Sequence, residues 1–165
     1  MHAFVVNPQS DERYDAVVKL VELMYKPHIY KELCNEMKHL YYAHEVFREI
    51  EDGKRIVIFT VQDNYITGCV HGVLEDGVYT VHIMFQRKVD AVAGCFLCEE
   101  AMIEYCRANN IPFHCVRGHI CAENRAALRC ASRWGAENKG ISKNITFWQG
   151  EEHLPCYVVE KRIEK

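Results

Sequence analysis

Several classes of protein are excluded by what the sequence lacks. Lysine and arginine number 20 against 23 acidic residues, giving a net charge of -3, and no basic block offers a track for a phosphate backbone. No stretch approaches the roughly 20 apolar residues that a membrane span needs. The start of the chain has neither the basic residues nor the long apolar stretch of an export signal. We therefore expect a protein that stays in the cytoplasm and binds neither nucleic acid nor membrane.

The chain also has no internal repeat and no low-complexity segment that would divide it. Its 165 residues suit one domain with a substantial core and are too few for two ordinary domains. Hydrophobic residues make up 49% and charged residues 26%, proportions typical of a globular protein. We expect residues 1–165 to form a single domain with one functional site.

Nine cysteines are present, an odd number that no export signal accompanies, and this favours reduced thiols over a disulfide framework. Cys95 and Cys98 have the spacing of zinc ligands, and further candidate ligands follow at His114, Cys115, His119 and Cys121. Structural zinc sites usually take ligands from loops, whereas Cys95 and Cys98 fall in a helical pattern and the later group alternates like a strand. We interpret these cysteines as small buried hydrophobic residues, with a metal-dependent protein as an alternative.

Hydrophobic periodicity predicts two helices near the start of the chain. Apolar residues recur at helical spacing over residues 11–25, with Ser10 as the expected N-cap. Pro27 ends this helix, and a second apolar pattern covers residues 29–42. The two segments predict a helical hairpin.

The pattern then changes to β-branched and aromatic residues separated by short turns, which predicts strands. Three of them form an expected antiparallel meander over residues 55–62, 65–74 and 78–85. The later predicted elements are a long helix, a strand, a helix and two extended segments, over residues 89–109, 113–120, 123–134, 145–148 and 155–163. The order ααβββαβαββ predicts an α+β fold in which helices flank a mixed, mostly antiparallel sheet.

One segment carries a recognisable motif, residues 124–136, which read NRAALRCASRWGA. With the element order, it resembles the GNAT (Gcn5-related N-acetyltransferase) family, whose fixed positions are occupied by Asn124, Ala127, Gly135 and Ala136. The resemblance spans residues 54–163 and implies a GNAT-like domain that moves an acetyl group from acetyl-CoA to an amine. Taken alone, the motif has an alternative interpretation, an ordinary helix started by an asparagine N-cap and closed by a glycine.

In this family, the strand before the long helix separates from the next strand and presents backbone groups to the pantetheine arm of the cofactor. The turn into the helix holds the pyrophosphate, because free N–H groups and the helix dipole attract anions. The resemblance implies that the cofactor-binding residues are Ile83, Met84, Phe85, Gln86, Arg87, Lys88, Val89, Asp90, Ala91, Asn124 and Ala127.

The turn departs from the family pattern, because Val89 stands in place of its central glycine. A side chain there narrows the approach of the backbone to a phosphate, and Asp90 adds a negative charge. Arg87 and Lys88 are expected to compensate in part by pairing with phosphates. A basic turn that caps a helix without any ligand is the alternative interpretation.

Acetyl transfer requires a base for the amine and an acid for the departing thiolate. His82 and His119 are the candidate bases because imidazole titrates near neutral pH, and hydrogen-bonded structural histidines are the alternative. Family members often supply the acid as a tyrosine, at a position that Ala131 occupies here. Cys130 and Ser132 are therefore the candidate acids by position.

The acceptor is expected to be the amine of a protein amino terminus or of a small molecule. Four tyrosines of the helical hairpin are candidates to border its groove or, alternatively, to pack against the sheet, namely Tyr25, Tyr30, Tyr41 and Tyr42. The loop glycine and the helix tyrosine are both missing, which motivates a second hypothesis. In it, a catalytically inactive GNAT-fold protein binds a protein partner or serves in an assembly, including one encoded by a phage. The expected partners, besides acetyl-CoA and an amine, are a second copy of the chain, which would form a homo-oligomer, or another protein.

Overall fold

The computed structural model of the chain describes residues 1–30, 42–149 and 152–164, and these contain one seven-stranded sheet. Its strands are β1 (His2–Val5), β2 (Arg55–Gln62), β3 (Tyr65–Glu75), β4 (Val78–Phe85), β5 (Cys115–Cys121), β6 (Glu137–Gln149) and β7 (Glu152–Arg162). Across the sheet they lie in the order β1-β2-β3-β4-β5-β7-β6. All neighbours are antiparallel except β4 and β5, which are parallel.

Helices flank the sheet on both faces. They are α1 (Glu12–Met24), the four-residue α2 (Pro27–Tyr30), α3 (Tyr42–Glu51), α4 (Ala91–Ala108) and α5 (Arg125–Trp134), and a short 3₁₀ turn over Lys88–Asp90 leads into α4. The predicted α+β architecture, with a mostly antiparallel sheet, is confirmed. Among the described residues, no helix has the length and apolar character that a membrane crossing requires.

The predicted meander agrees closely with the structure, since β2 and β4 have the predicted bounds and β3 is one residue longer. The order ααβββαβαββ is incomplete because it lacks β1 and α3. Strand β1 has only four residues, alternately exposed and partly buried, which is too short for a periodicity signal. The predicted helix over residues 29–42 falls largely on residues 31–41, which lie outside the described residues.

The last two strands were predicted too short. β6 begins at Glu137, whereas only residues 145–148 were expected to be extended. Its pairing with β7 shifts register between Asn138 and Ile141 and again between Ile141 and Thr146. Such irregularities interrupt the alternation of side chains on which strand prediction depends.

Both ends of α5 are set by its sequence. The Asn124 side chain accepts a hydrogen bond from the Ala127 backbone N–H at 3.0 Å, as an N-cap does. Gly135 adopts φ of 96° and ends the helix in the left-handed region, where glycine is favoured. Ser10, in contrast, is not the N-cap of α1, because that position belongs to Asp11.

The sheet separates two hydrophobic layers. Its first face packs against α1 and α3, through residues that include Leu20, Val46, Ile50, Val57, Phe59, Cys69, Met84 and Cys121. Its second face packs against α4 and α5, through residues that include Ile56, Ile58, Val70, Tyr79, Val81, Cys95, Cys98, Met102 and Trp134. Successive strand residues point to opposite faces, so His82 lies on the first face and Ile83 on the second.

Candidate active site

The two parallel strands pair for only half of their length. The β4–β5 pairing runs from Val78 opposite Cys115 to Val81 opposite Gly118. Beyond this point β4 continues to Phe85 beside β3, and β5 continues to Cys121 beside β7. The strands therefore diverge in the middle of the sheet, which opens a cleft whose walls include backbone groups of residues 82–85.

On the second face, the cleft leads into a narrow crevice between the sheet and helices α4 and α5. Residues from both helices and three strands line it, among them Val70, Ile83, Cys95, Cys98, Val116 and Trp134. Ile83 is 40% exposed, which is unusual for an isoleucine in a central strand. The crevice has room for about one water molecule, so a larger guest requires α4 and α5 to move apart.

Glu99 of α4 holds the crevice closed. Its Oε2 accepts a hydrogen bond from the Trp134 indole Nε1 of α5 at 2.7 Å and another from Lys161 Nζ of β7. The Lys161 ammonium also lies 5.0 Å from the centre of the Trp134 ring, a cation–π distance. These contacts join α4, α5 and β7 on one side of the crevice.

Several polar groups of the turn between β4 and α4 form hydrogen bonds within the protein. The Gln86 N–H donates to the Thr67 carbonyl at 2.8 Å, and its side chain accepts from Lys26 Nζ at 2.6 Å. The Arg87 guanidinium makes two hydrogen bonds with the Asp90 carboxylate, at 2.7 and 3.1 Å. Arg87 was expected to pair with a phosphate, and in this structure its partner is the buried Asp90.

The same turn retains donors that face solvent. None of the hydrogen bonds found between the described residues uses the backbone N–H of Arg87, Lys88 or Val89. These three residues are exposed and directly precede the 18-residue helix α4. Amides at a helix start attract anions, and the Lys88 ammonium adds a positive charge, whereas Arg87 neutralises Asp90.

Small residues near this turn serve internal packing. A Cβ atom added to Gly94 of α4 would lie 2.1 Å from the Phe85 ring, and one added to Gly68 of β3 would lie 2.2 Å from the same ring. Phe85 is thus held between two glycines. The close contact between β4 and α4 therefore explains why a glycine stands at position 94.

The two candidate bases lie at the point where the strands diverge. His82 and His119 each follow the last residue of the β4–β5 pairing, Val81 and Gly118, and by alternation both are on the first face. Burial lowers the pKa of His82 to about 4, with further lowering by the positive charges of Arg55 and His119. His82 is therefore uncharged at neutral pH, so its ring nitrogen is free of a second proton. The expectation that it titrates near neutral pH is not met, and its affinity for a proton is lower than that of an ordinary imidazole.

Sequence reasoning missed two residues beside His82, the buried His71 and the largely buried Arg55. His71 of β3 is the cross-strand partner of His82, with ring centroids 5.3 Å apart, and it is fully buried. Arg55 Nη1 lies 3.0 Å from His71 Nδ1, and the Arg55 Nε donates to the Glu49 carboxylate of α3. The two-residue turn at Asp76 and Gly77, both with positive φ, fixes this register, so the sequence contained a signal for the histidine pair.

The candidate acids lie in different environments on α5. Cys130 is partly buried, and a hydrogen bond with Cys95, aided by the charge of Arg133, lowers its thiol pKa below the usual value despite burial. Ser132 is exposed. Ala131, at the position of the family's tyrosine, is buried.

The other candidates from the sequence are distributed as follows. Tyr25 is 60% exposed, whereas Tyr41 and the side chains of Tyr30 and Tyr42 lie outside the described part. Cys95 and Cys98 belong to the hydrophobic layer of the second face. Over residues 1–30, 42–149 and 152–164, no group of three metal-ligating side chains is brought together, and the cysteines there are free thiols.

No protein-family model and no curated protein matches the chain. Solved structures do match it. A GNAT-family acetyltransferase from Streptococcus pneumoniae is 16% identical with a TM-score of 0.70, over 98% of this chain and 100% of that one. Spermidine N-acetyltransferase from Vibrio cholerae, solved with CoA and spermine, is 13% identical with a TM-score of 0.72, over 98% and 95%. An acetyltransferase from Salmonella typhimurium that modifies the N-terminal serine of a 50S ribosomal subunit protein is 10% identical with a TM-score of 0.72, over 99% and 96%.

These similarities extend over nearly the whole of each chain, although few residues are shared. Agreement at that level concerns architecture, since unrelated activities can share a fold. The TM-scores of 0.70 to 0.72 show that the overall arrangement of helices and strands is shared. This chain has the fold of the GNAT acetyltransferases.

Proposed function

We propose that this protein is an N-acetyltransferase that moves an acetyl group from acetyl-CoA to an amine. One observation carries the proposal: the parallel strands diverge after Val81 and Gly118, and two histidines stand at the point of divergence. Ile83 of β4 lines the crevice on the second face, and the preceding residue, His82, lies on the first face beside His71 and His119. In this proposal, the thioester lies on the side of the crevice and the amine on the side of His82.

The residues present fit acetyl-CoA in three respects. Backbone groups of residues 82–85 are available to amides of a pantetheine arm, since the β4–β5 pairing has ended there. The free N–H groups of Arg87, Lys88 and Val89, with the Lys88 ammonium, suit a pyrophosphate. Ile83 and the apolar lining of the crevice suit a hydrocarbon chain. Acetyl-CoA supplies an activated acyl group and a thiolate leaving group.

The chain's own residues then provide proton transfer. His82, uncharged at neutral pH, or His119 accepts the proton that the amine loses as its nitrogen bonds to the acyl carbon. The carbon–sulfur bond breaks, and the thiolate takes a proton from an acid. Cys130 is the candidate acid that lies closer to the crevice lining, because it contacts Cys95, and Ser132 remains a candidate by position.

The acceptor belongs to one of two classes, a small polyamine-like amine or a protein amino terminus. Among the similar structures, one is a spermidine N-acetyltransferase bound to spermine and another modifies an N-terminal serine. A panel that contains spermidine, a serine-starting peptide and the same peptide with a blocked amino terminus separates the two classes. The blocked peptide should give no product, because its only α-amine is absent.

Calorimetric titration with acetyl-CoA tests the proposal. We expect binding in the micromolar range, weakened roughly tenfold by Lys88→Ala, because a charge-assisted contact to phosphate contributes about 1–2 kcal/mol. Lys54→Ala, which removes another exposed lysine just before β2, should leave the affinity unchanged. No measurable heat at millimolar acetyl-CoA would overturn the proposal.

A specific set of contacts supports the inactive, protein-binding alternative. Arg87 is occupied by Asp90, Gln86 by Lys26, and the crevice is closed by Glu99. Failure to bind acetyl-CoA, together with a stable complex that co-purifies from the native source, would favour this alternative.

A further inference from the structure

A row of polar side chains crosses the first face of the sheet within the hydrophobic layer. It runs from Glu49 of α3 to Arg55 of β2, His71 of β3, His82 of β4 and His119 of β5. The Arg55 side chain is 9% exposed and His71 is fully buried. Burial of an arginine and a histidine side by side is costly, so the row requires a reason beyond packing.

Arg55 determines the protonation of His71. A guanidinium has only donors, so the nitrogen that faces it, His71 Nδ1 at 3.0 Å, must act as an acceptor. The proton of the neutral ring then lies on Nε2. A second proton on His71 would place two positive charges side by side. Burial, then the neighbouring His82, and then Arg55 lower the pKa of His71 well below its ordinary value. The ring is therefore held neutral and in one tautomer.

His71 in turn supports His82. The two residues are direct cross-strand partners with ring centroids 5.3 Å apart and an angle of 35° between the rings. Cross-strand neighbours on one face restrict each other's side-chain conformations. A neutral His71 also adds no charge against protonation of His82. After burial, the positive charge of Arg55 is therefore the larger electrostatic influence that lowers the pKa of His82, followed by the neighbouring His119.

Among the described residues, the remaining surroundings of His82 contain few charges. Helix α1 contributes the apolar residues Ala16, Leu20, Leu23 and Met24 to this face. Helix α3 contributes Glu49, which pairs with Arg55. On β5, Arg117 shares the face of His119 and is paired with Glu160 of β7 at 2.7 Å. Within the row, the charged pair next to the histidines is thus Glu49 with Arg55.

We propose that Arg55 and His71 are positioning residues that hold His82, in its uncharged form, at the point where β4 and β5 diverge. Arg55, anchored by Glu49, fixes the tautomer of His71, and His71 fixes the ring of His82. The inference rests on the proposed function in one respect only, that the proton accepted by His82 comes from an acceptor amine. The electrostatic part can be measured without any catalysis.

The test is an NMR pH titration of the histidine side chains in the intact protein, with signals assigned by His82→Gln and His71→Gln. Arg55→Gln removes a positive charge while Glu49 remains, so the midpoint of His82 should rise by about one pH unit. Arg55→Lys keeps the charge and should leave the midpoint within about 0.3 units. A midpoint in Arg55→Gln that equals that of the unaltered protein would overturn the proposal.

Glu49→Gln provides a second, opposite test in case Arg55→Gln does not fold. Glu49 is partly exposed, and the substitution removes its negative charge while Arg55 stays in place. The positive charge of Arg55 is then no longer balanced, so the titration midpoint of His82 should fall further. Simple loosening of the fold would instead raise the midpoint in every variant, toward the ordinary value near 6.5. A rise in Glu49→Gln therefore contradicts the proposal.

Kinetics then separates the inference from the proposed function. If the protein acetylates an amine, the acid limb of kcat/KM should move to higher pH in Arg55→Gln by the shift that NMR gives. Suppose that the midpoint of His82 shifts in opposite directions in Arg55→Gln and Glu49→Gln, but no amine is acetylated. The role of Arg55 and Glu49 in setting the charge of His82 is then supported, and only the proposed function fails. If amines are acetylated and the pH profile of kcat/KM is the same in both variants as in the unaltered protein, Arg55 and His71 do not position a catalytic base.

Discussion

At the scale of single residues, Phe85 shows how the candidate cleft is fixed. Its ring lies between Gly68 of β3 and Gly94 of α4, where a Cβ atom on either glycine would lie about 2 Å from it. Neither side leaves space into which the ring can move. Phe85 therefore sets the distance between the end of β4 and the start of α4, and with it the position of the turn between them.

We predict that Gly94→Ala destabilises the protein by about 1–3 kcal/mol, the usual effect of adding a methyl group to a filled site. Gly94→Ala combined with Phe85→Leu should recover part of this loss, because the smaller side chain yields the space. Urea unfolding of the two variants measures both effects. Equal stability of Gly94→Ala and the unaltered protein would show that the ring is not held as described.

At the scale of elements, Asn124 at the start of α5 has two roles to separate: it caps the helix, and it was expected to contact the cofactor. Asn124 was expected to contact acetyl-CoA, and its side-chain oxygen accepts from the Ala127 N–H. Asn124 and Ala127, the two α5 residues expected to contact the cofactor, are thus hydrogen-bonded to each other at the start of the helix. Any effect of changing Asn124 on cofactor binding must be separated from its effect on helix stability.

We predict that Asn124→Ala lowers the free energy of unfolding by about 1 kcal/mol through loss of the N-cap. Asn124→Asp keeps a capping oxygen and should retain most of the stability. Urea unfolding and acetyl-CoA titration of both variants distinguish the two roles. Weaker cofactor binding in both variants, with stability lost only in Asn124→Ala, would indicate a direct contact with the cofactor.

At the scale of the whole molecule, the buried histidines link stability to pH. His71 and His82 have pKa values below that of an unfolded chain, chiefly because burial disfavours their charged form. Below about pH 6.5, the unfolded chain binds protons that the folded protein does not. Stability that is present at pH 7 is therefore lost as the pH falls from about 6.5 toward 4.

We expect His82 alone to lower the free energy of unfolding by about 2 kcal/mol at pH 5 relative to pH 7, since one pKa unit corresponds to about 1.4 kcal/mol. His71 should add to this loss. Urea unfolding at the two pH values measures it, and His82→Gln should reduce the difference. His28→Gln, a change at an exposed histidine, should keep the full difference. An equal pH effect in both variants would exclude His82 as its source.

The sequence by itself determined most elements and their order. Strand periodicity and the turn at Asp76 and Gly77 predicted β2 to β4, and the Asn124 and Gly135 caps predicted α5, because these signals act over a few residues. The same signals place His71 opposite His82. Short β1 and the irregular start of β6 carried too weak a local signal. Helix α3 did carry a helical signal, since Val46 and Ile50 lie four residues apart and are both buried, and the prediction missed it.

Only the tertiary structure decided where the cleft opens and what surrounds it. The β4–β5 register follows a long connection through α4, so packing against the sheet, rather than a turn, sets the last pair at Val81 and Gly118. Packing likewise brought Arg55 and Glu49 to the histidines, joined Arg87 to Asp90, and closed the crevice through Glu99. These contacts link residues from separate elements, and only the docking of helices on both faces of the sheet brings such residues together.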